Sequence, residues 1–182
     1  MIKSKDRSGY IGASDTKYVM GKWTTKTFQN WWLTKIGIAR NDFNNKYMMA
    51  GTNWEHRILE YIKSEHTDEQ IIKGRLRVNI DGRTGNKIQE VKTFNLEKGF
   101  EVSKTYYEQC QVEMYAFNTT ECEIVAYGLE EEDYDNYLRD IDSERIQIIP
   151  IPYDEKFIQK YLDRYTVLEK CLNDGRYPME VA

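Results

Sequence analysis

Long apolar runs are absent from this sequence. None approaches the ~20 consecutive apolar residues that a helix needs to cross a bilayer. The first five residues, Met1 to Lys5, also lack the apolar stretch of a secretory signal peptide. We therefore expect an intracellular, cytoplasmic protein that has no membrane partner.

Cysteine and histidine are scarce. The three cysteines are widely spaced and form no Cys-x-x-Cys pair, which argues against a disulfide framework, a structural zinc site and an iron–sulfur cluster. The two histidines, His56 and His66, show no ligand-like spacing. We expect Cys110, Cys122 and Cys171 to be reduced residues of the protein core.

Length and composition are those of one compact domain. With 182 residues, 40% of them hydrophobic, the chain can bury one substantial core. It contains no internal repeat and no low-complexity linker. We expect a single domain over 1–182, with an N-terminal helical part over about 1–66, a central part over about 67–152 and a C-terminal helix over about 154–174.

Charge is distributed unevenly along the chain. The net charge is −4, but residues 1–40 carry eight lysine and arginine residues against two aspartates, a balance of +6, so the remaining 142 residues sum to −10. Such asymmetry fits a protein that meets nucleic acid along one surface and holds carboxylates for a metal elsewhere. Ordinary solubilising charge explains it equally well.

Hydrophobic periodicity and capping residues predict a chain of alternating elements. Helices are predicted over about 15–20 after a Ser14 cap, from Thr24 or Thr25 through 36, over about 46–64, from Ser103 to about 117, and from Asp154 to just before 175. Short strands are predicted over 71–73, 76–80, 87–94, 123–129 and 145–151, with Gly82 and Gly85 turning the chain between the second and the third. The predicted fold class is α/β, in the α+β sense, with a mixed sheet flanked by helices.

One hairpin carries a candidate catalytic group. It places Asp81 at the end of one strand and Glu90 and Lys92 on a shared face of the next, because side chains alternate with period two. Two carboxylates and an ammonium suit a hard divalent cation and metal-assisted attack of water on a phosphodiester. The alternative is an ordinary turn followed by a solvated strand face, since Asp-Gly and Gly-Asn are common turn dipeptides.

Four motifs, in order over about residues 7–127, resemble those of a known family. Ile80-Asp81 with Glu90-Val91-Lys92 resembles the signature of the PD-(D/E)XK nucleases, with Ile80 in place of the proline. Three further motifs resemble those of their lambda-exonuclease-like, YqaJ-type viral recombination members: Arg7 through Ser14, Gly51 through Glu55, and Tyr106-Tyr107-Glu108-Gln109-Cys110-Gln111. The resemblance implies a PD-(D/E)XK core, like that of restriction endonucleases.

The resemblance also implies catalytic roles. Asp81, Glu90 and the Val91 backbone carbonyl would ligate Mg²⁺ or Mn²⁺, which prefer oxygen ligands. Glu55 would be a further ligand, direct or through water, although its periodicity alone fits a surface position equally well. Lys92 would ease deprotonation of the attacking water and stabilise the developing negative charge.

Four more residues are assigned to water and DNA contacts. Gln109 would hydrogen-bond the attacking water or a phosphate oxygen without competing for the metal. The resemblance implies that Arg7 and Ser14 hold the 5′-terminal phosphate of the strand being degraded. Gln111 joins them as a candidate DNA contact. Without the resemblance, Ser14 is only a helix cap and Gln111 only a polar residue on a helix surface.

The resemblance implies a function and partners. The expected activity is that of a Mg²⁺-dependent 5′-to-3′ double-strand deoxyribonuclease that leaves 3′ single strands for phage-type homologous recombination. Duplex DNA ends, a single-strand annealing protein and further copies of the chain in a ring, commonly a trimer, are the implied partners, and the implied origin is a phage or prophage.

Two alternatives remain open. One is an endonuclease or junction-cutting enzyme on the same fold, because a fold does not fix the substrate. The other is a non-catalytic DNA-binding or assembly protein. The intact set of Asp81, Glu90 and Lys92 argues against the second alternative, since a binding module gains little from burying like charges without a metal.

Overall fold

The computed structural model describes residues 7–39 and 45–179, so the expectation for Met1 to Lys5 lies outside it. The helices are α1 (Thr16–Val19), α2 (Lys26–Lys35), α3 (Lys46–Tyr61), α4 (Lys104–Phe117) and α5 (Glu155–Asp174). The strands are β1 (His66–Lys73), β2 (Leu76–Thr84), β3 (Lys87–Asn95), β4 (Glu121–Leu129) and β5 (Ile146–Pro152). No helix within the two described ranges is long and apolar enough to span a bilayer.

Three helix caps predicted from the sequence are confirmed. Thr25, Ser103 and Asp154 each accept a hydrogen bond from the backbone N–H three residues further on, at 3.2, 3.2 and 2.9 Å. Ser14 is not a cap, and this prediction is wrong. It lies inside a short 3-10 turn over Ala13–Asp15, at whose start the Asp15 carboxylate accepts from the Gly12 N–H at 2.8 Å. The Ser14 side chain is therefore left exposed.

The five strands lie in the sheet in chain order. β3 and β4 are parallel over residues 88–95 of β3, and the other neighbours are antiparallel. The predicted α+β fold with a mixed sheet is confirmed. β2 and β3 pair only near their turn, from Gly82 opposite Gln89 to Thr84 opposite Lys87. The two strands therefore part at Asp81, and a gap opens between them.

The turn between β2 and β3 differs from the prediction at Gly82. β2 continues to Thr84, and the chain reverses at Gly85, whose φ of +57° favours glycine. Gly82 is a buried strand residue. A Cβ atom there would lie 2.7 Å from the Ser64 hydroxyl oxygen and would also collide with the Leu59 side chain. Glycine is needed at this position because the end of α3 packs directly on β2.

Two clusters of buried side chains hold the helices to the sheet. The larger cluster contains Trp23, Trp31 and Trp32, so these three indoles belong to the core and do not form an exposed base-stacking surface. The smaller cluster joins α3 to the sheet through residues that include Trp54 and Ile58. All three cysteines are free and buried, as predicted.

The segment before α1 is fastened to β2. The Ile11 N–H donates to the Arg75 carbonyl at 2.8 Å, and the Arg77 N–H donates to the Ile11 carbonyl at 2.9 Å. Because β1 already pairs with one edge of β2, Ile11 occupies the edge that β3 has left. Arg164 of α5 donates to the carbonyls of Val19 and Gly21 at 2.6 and 2.5 Å, so the C-terminal helix braces the N-terminal segment.

Candidate active site

Asp81, Glu90 and Lys92 meet where β2 and β3 part. Asp81 Oδ2 accepts a hydrogen bond from the Val91 backbone N–H at 2.8 Å. Glu90 is only 2% exposed, and its Oε1 forms an ion pair with Lys92 Nζ. The structure thus brings together the three side chains that strand alternation predicts to converge.

Lys92 is held as an ammonium. Burial by itself lowers the pKa of an amine, but the carboxylates of Glu90 and Asp81 outweigh burial and raise the pKa of Lys92 above its usual value. Lys92 Nζ also lies 5.0 Å from the centroid of the Tyr106 ring, within range of a cation–π interaction. In this state Lys92 supplies positive charge next to Glu90 and Asp81.

The carboxylates around Lys92 disfavour one another's charge. Burial raises the pKa of Asp81 well above its ordinary value, and the carboxylates of Glu90 and Glu55 raise it further. Burial also raises the pKa of Glu55, with His56 opposing and Glu90 assisting. A divalent cation relieves this strain because it favours the ionised form of each acid.

The oxygen donors fit Mg²⁺ or Mn²⁺. Asp81 Oδ1 and Glu90 Oε2 make no hydrogen bond to any residue in the described ranges, so both oxygens remain for a cation. Glu55 adds a carboxylate from α3, and the Val91 carbonyl follows Glu90 directly in β3. Carboxylate and carbonyl oxygens are the donors that hard divalent cations prefer.

One face of α4 closes the site. Tyr106, Gln109 and Glu113 share this face at helical spacing. Gln109 Nε2 donates to Glu90 Oε1 at 2.6 Å and to Glu113 Oε1 at 2.8 Å. Glu113 is fully buried, and burial together with the Glu90 carboxylate raises its pKa well above the ordinary value. Sequence reasoning missed Glu113, although its position four residues after Gln109 predicts the same helix face.

A cavity of about 220 Å³ adjoins these groups. One side is lined by Asp81, Lys92 and Gln109, and the other by the N-terminal segment with Arg7 and Ser14. The backbone bridge between this segment and β2 explains how residues distant in sequence reach one cavity. Five of the predicted site residues therefore line the same cavity, namely Asp81, Lys92, Gln109, Arg7 and Ser14, whereas Glu55 and Glu90 are not among its lining residues.

Arg77 also lines the cavity and was missed by sequence reasoning. The signal was the alternation of Arg77, Asn79 and Asp81 along β2, which puts all three side chains on one face. Arg77 is 8% exposed, so its charge acts in a poorly solvated environment. With Arg7 and Lys92 it gives the cavity three cationic side chains, which face the carboxyl groups of Asp81 and Glu113.

Asp15 anchors the turn over Ala13–Asp15, which places Ser14 at the cavity. Its Oδ2 accepts from the Gly12 N–H at 2.8 Å and pairs with the Lys35 ammonium at 2.5 Å, while Oδ1 accepts from Trp31 Nε1 at 2.9 Å. Such charge-assisted hydrogen bonds are among the stronger ones in proteins. The turn that presents Ser14 is therefore firmly anchored on α2.

Gln111 lies away from the cavity, which corrects its assignment as a DNA contact. Its side chain is fully buried. Gln111 Nε2 donates to the Pro152 carbonyl at 2.8 Å, and Oε1 accepts from the Asp154 N–H at 2.7 Å. Both ends of the amide are thus used to join α4 to the start of α5, because Gln111 is on the opposite side of α4 from Gln109.

His56 lies closer to the acidic site than its sequence spacing indicates. One ligating atom from each of Glu55, His56 and Asp68 falls within 4.8 Å of the others, and His56 Nδ1 is 4.0 Å from Asp68 Oδ2. The His56 side chain is 57% exposed. Its proximity lowers the pKa of the Glu55 carboxyl, against the larger effect of burial, which raises it.

Solved structures of exonucleases share this fold. An alkaline exonuclease from Laribacter hongkongensis superposes with a TM-score of 0.70 at 18% identity, over 93% of this chain and 90% of that one. A structure of that enzyme in complex with dAMP gives a TM-score of 0.69 at 18% identity, with the same coverage. A phage-related exonuclease from Haemophilus somnus 129PT gives 0.66 at 15% identity, over 91% of this chain and 94% of that one.

Sequence comparison adds nothing to this likeness, because no protein-family model and no curated protein matches the chain. At these identities the superpositions establish the fold alone. The chain has the fold of these exonuclease structures, in agreement with the α+β fold and mixed sheet predicted from the sequence.

Proposed function

We propose that this protein is a Mg²⁺-dependent deoxyribonuclease that degrades duplex DNA from its 5′ ends and leaves 3′ single strands. The observation that carries the proposal is one cavity lined on one side by Asp81, Lys92 and Gln109 and on the other by Arg7 and Ser14. The first group suits hydrolysis of a phosphodiester, and the second suits recognition of a strand end.

Asp81, Glu90, Glu55 and the Val91 carbonyl would hold Mg²⁺, and Mn²⁺ would also be accepted. The bound ion would supply Lewis-acid stabilisation of the phosphoryl oxygens and a water of lowered pKa. The Lys92 ammonium, already fixed beside Glu90, stabilises the negative charge that develops on the scissile phosphate. Gln109 contacts the attacking water.

The cationic part of the cavity favours an end over an internal site. A terminal phosphate monoester carries about −1.5 to −2 charges at neutral pH, whereas an internal diester carries one. Arg7 and Arg77 together match that higher charge, and a guanidinium can hold phosphate through two parallel hydrogen bonds. Ser14 adds an exposed hydroxyl. The dAMP complex of the Laribacter hongkongensis enzyme supports a nucleoside monophosphate as the product.

The proposal includes partners. A ring-shaped homotrimer would let basic N-terminal segments line a DNA channel while acidic surfaces face outward, which reconciles a net charge of −4 with DNA binding. A single-strand annealing protein would take up the 3′ strand for phage-type recombination. Light scattering during gel filtration tests the trimer, and a monomer at working concentration would remove the ring from the proposal.

Three substrates test the activity. The purified protein is incubated with Mg²⁺ and linear duplex carrying 5′-phosphate, linear duplex carrying 5′-hydroxyl, or covalently closed circular duplex, with EDTA as the metal-free control. We expect loss of the phosphorylated strand from its 5′ end, slower loss of the hydroxyl form, and intact circles. EDTA should abolish all cleavage because the acids need a cation.

Other outcomes identify the alternatives. Cut circles would favour the endonuclease or junction-cutting enzyme on the same fold. Degradation from the 3′ end would overturn the assigned polarity. Absence of any cleavage with Mg²⁺ or Mn²⁺, together with retained DNA binding, would favour the non-catalytic DNA-binding protein.

A further inference from the structure

The amide of Gln109 uses both of its hydrogens on carboxylates. Nε2 donates to Glu90 Oε1 at 2.6 Å and to Glu113 Oε1 at 2.8 Å. An amide nitrogen has two hydrogens to donate. Glu90 Oε1 accepts because it also faces the Lys92 ammonium, and a Glu113 carboxyl that holds a proton on Oε2 still accepts through Oε1. If the amide were turned around, its carbonyl oxygen would face both carboxylate oxygens at those distances. The two acids therefore determine which end of Gln109 points at them.

The opposite end of the amide faces the cavity. Gln109 lines that space together with Asp81 and Lys92, and its Oε1 makes no hydrogen bond to a residue in the described ranges. Gln109 thus presents an acceptor to whatever occupies the cavity. An acceptor can hold a water through its hydrogen, whereas a phosphate oxygen requires a donor. Of the two roles that sequence reasoning left open for Gln109, this geometry selects the water.

We propose that Glu113 is a positioning residue that fixes the Gln109 amide so that its carbonyl oxygen orients the attacking water. The inference rests on the proposed nuclease function and deepens it. It assigns a task to a residue outside the four sequence motifs.

Glu90 cannot do this alone. Its Oε1 is shared between Gln109 Nε2 and the Lys92 ammonium, and the same carboxylate is assigned to the metal. The hydrogen bond from Gln109 to Glu90 therefore weakens when a cation binds the Glu90 carboxylate and attracts its negative charge. Glu113 has no ion-pair partner among the described residues, and Gln109 is the one side chain seen to donate to it there. It keeps the amide oriented whether or not the metal is bound.

The burial of Glu113 separates a positioning role from a structural one. The side chain is fully buried, and its Oε2 has no hydrogen-bond partner among the described residues. An apolar side chain of similar size removes that unpaired atom, so it should not weaken the fold. Loss of activity without loss of stability would therefore mark a residue kept for catalysis.

Steady-state kinetics of two variants test the proposal. Glu113→Leu removes the acceptor for Gln109, and Glu113→Gln keeps an oxygen that can accept from it. For Glu113→Leu we expect kcat on 5′-phosphorylated duplex to fall about five-fold or more, with KM changed less than about two-fold and the melting temperature not lowered. The kcat of Glu113→Gln should lie between the kcat of wild type and that of Glu113→Leu. Glu108→Leu, which removes another largely buried carboxylate of α4 outside the cavity, is the control and should keep kcat.

A double-mutant cycle shows whether Glu113 acts through Gln109. In a Gln109→Ala background, Glu113→Leu should lower kcat no further, because the amide it positions is gone. Equal losses in both backgrounds would overturn the proposal, and so would a kcat of Glu113→Leu equal to wild type. A Glu113→Gln variant as impaired as Glu113→Leu would also overturn it, since negative charge rather than an acceptor would then be required.

A measurement without activity keeps the proposal separable from the nuclease assignment. In ¹H–¹⁵N spectra the side-chain amide of Gln109, identified by its absence in Gln109→Ala, should show two protons that exchange slowly with solvent. Glu113→Leu should speed the exchange of one of them. If wild type cleaves no DNA, the proposed function fails while this experiment still decides the amide orientation. Fast exchange of both protons in wild type would overturn the orientation itself.

Discussion

Asp81 Oδ2 accepts a hydrogen bond from the Val91 backbone N–H at 2.8 Å, where a regular antiparallel ladder would supply a backbone carbonyl. A carboxylate thereby enters the sheet and holds the edge of β3 after the two strands have parted. The bond fixes Asp81 next to Glu90 and the Val91 carbonyl, so the expected metal donors keep their mutual positions without a metal.

The stability of the metal-free protein should fall as pH rises. The folded-state pKa of Asp81 is raised by burial and by Glu90 and Glu55, so its contribution to stability is present below the unfolded value of about 3.9 and is lost as pH rises through the folded value. In EDTA we expect Asp81→Asn to melt higher than wild type, and the difference in melting temperature should grow as pH rises above about 4, the unfolded-state value. Differential scanning fluorimetry measures both proteins.

Magnesium supplies the control for this pH effect. At the upper end of the pH range, saturating Mg²⁺ should raise the melting temperature of wild type and leave Asp81→Asn nearly unchanged, because the variant lacks the carboxylate that the cation neutralises. If the difference in melting temperature between Asp81→Asn and wild type shrank with rising pH, the raised pKa of Asp81 would be contradicted.

Replacing Lys92 should remove activity. In Lys92→Met the scissile phosphate loses its fixed ammonium, and we expect kcat to fall on the order of 10²–10⁴-fold. Rates on 5′-phosphorylated duplex provide the measurement, and circular dichroism checks that the fold survives loss of the ion pair with Glu90. Lys98→Ala changes an exposed lysine beyond the end of β3 and should behave as wild type. An active Lys92→Met enzyme would remove Lys92 from the catalytic group.

Replacing Arg7 should erase the preference for a 5′-phosphate. A hydrogen bond to a charged group contributes about 1.5–3 kcal/mol, so Arg7→Ala should reduce the ratio of kcat/KM between phosphorylated and hydroxyl ends by about 10- to 100-fold. The hydroxyl substrate itself should be degraded at nearly the wild-type rate. Arg176→Ala, which changes an exposed arginine paired with Asp174, is the matched control. An unchanged ratio would mean that Arg7 does not contact the terminal phosphate.

Adding a methyl group at Gly82 should disturb the site by displacing α3 from β2. The new Cβ of Gly82→Ala would collide with Leu59 and the Ser64 hydroxyl, and such overpacking costs about 1–3 kcal/mol. The collision displaces the last turn of α3, and Glu55 lies one turn earlier in the same helix. Mg²⁺ affinity should therefore fall together with the melting temperature. Gly85→Asn occupies open space at a positive φ that asparagine tolerates. It should change neither property, and equal effects at both glycines would contradict this account.

Local sequence signals predicted most of the elements. Thr25, Ser103 and Asp154 were recognised as caps because their partners lie three residues away in the same segment. The first five residues of β1 were missed, since His66 through Gln70 show no apolar alternation and form a strand only by pairing with β2 at the sheet edge. Edge pairing is a tertiary property that the local pattern does not contain.

The candidate site was predictable where strand or helix spacing determines it. Strand alternation was enough to bring Glu90 and Lys92 together. Gln111 follows Gln109 by two residues, roughly 200° around α4, so helix geometry alone could have removed it from the cavity. Strand alternation puts Arg77 on the same face of β2 as Asp81, but it does not show that this face borders a cavity. That depends on β3 leaving β2 and on the N-terminal segment filling the vacated edge.

The bracing of the N-terminal segment by α5 bears on how the protein matures during synthesis. The hairpin with its acidic side chains and α4 emerge from the ribosome before Arg164, whose bonds to the Val19 and Gly21 carbonyls join the last helix to one of the first parts of the chain. The segment that carries Arg7 and Ser14 lacks this support until Arg164 has been synthesised. A nascent chain can therefore bring its acidic side chains together before the opposite side of the cavity is braced.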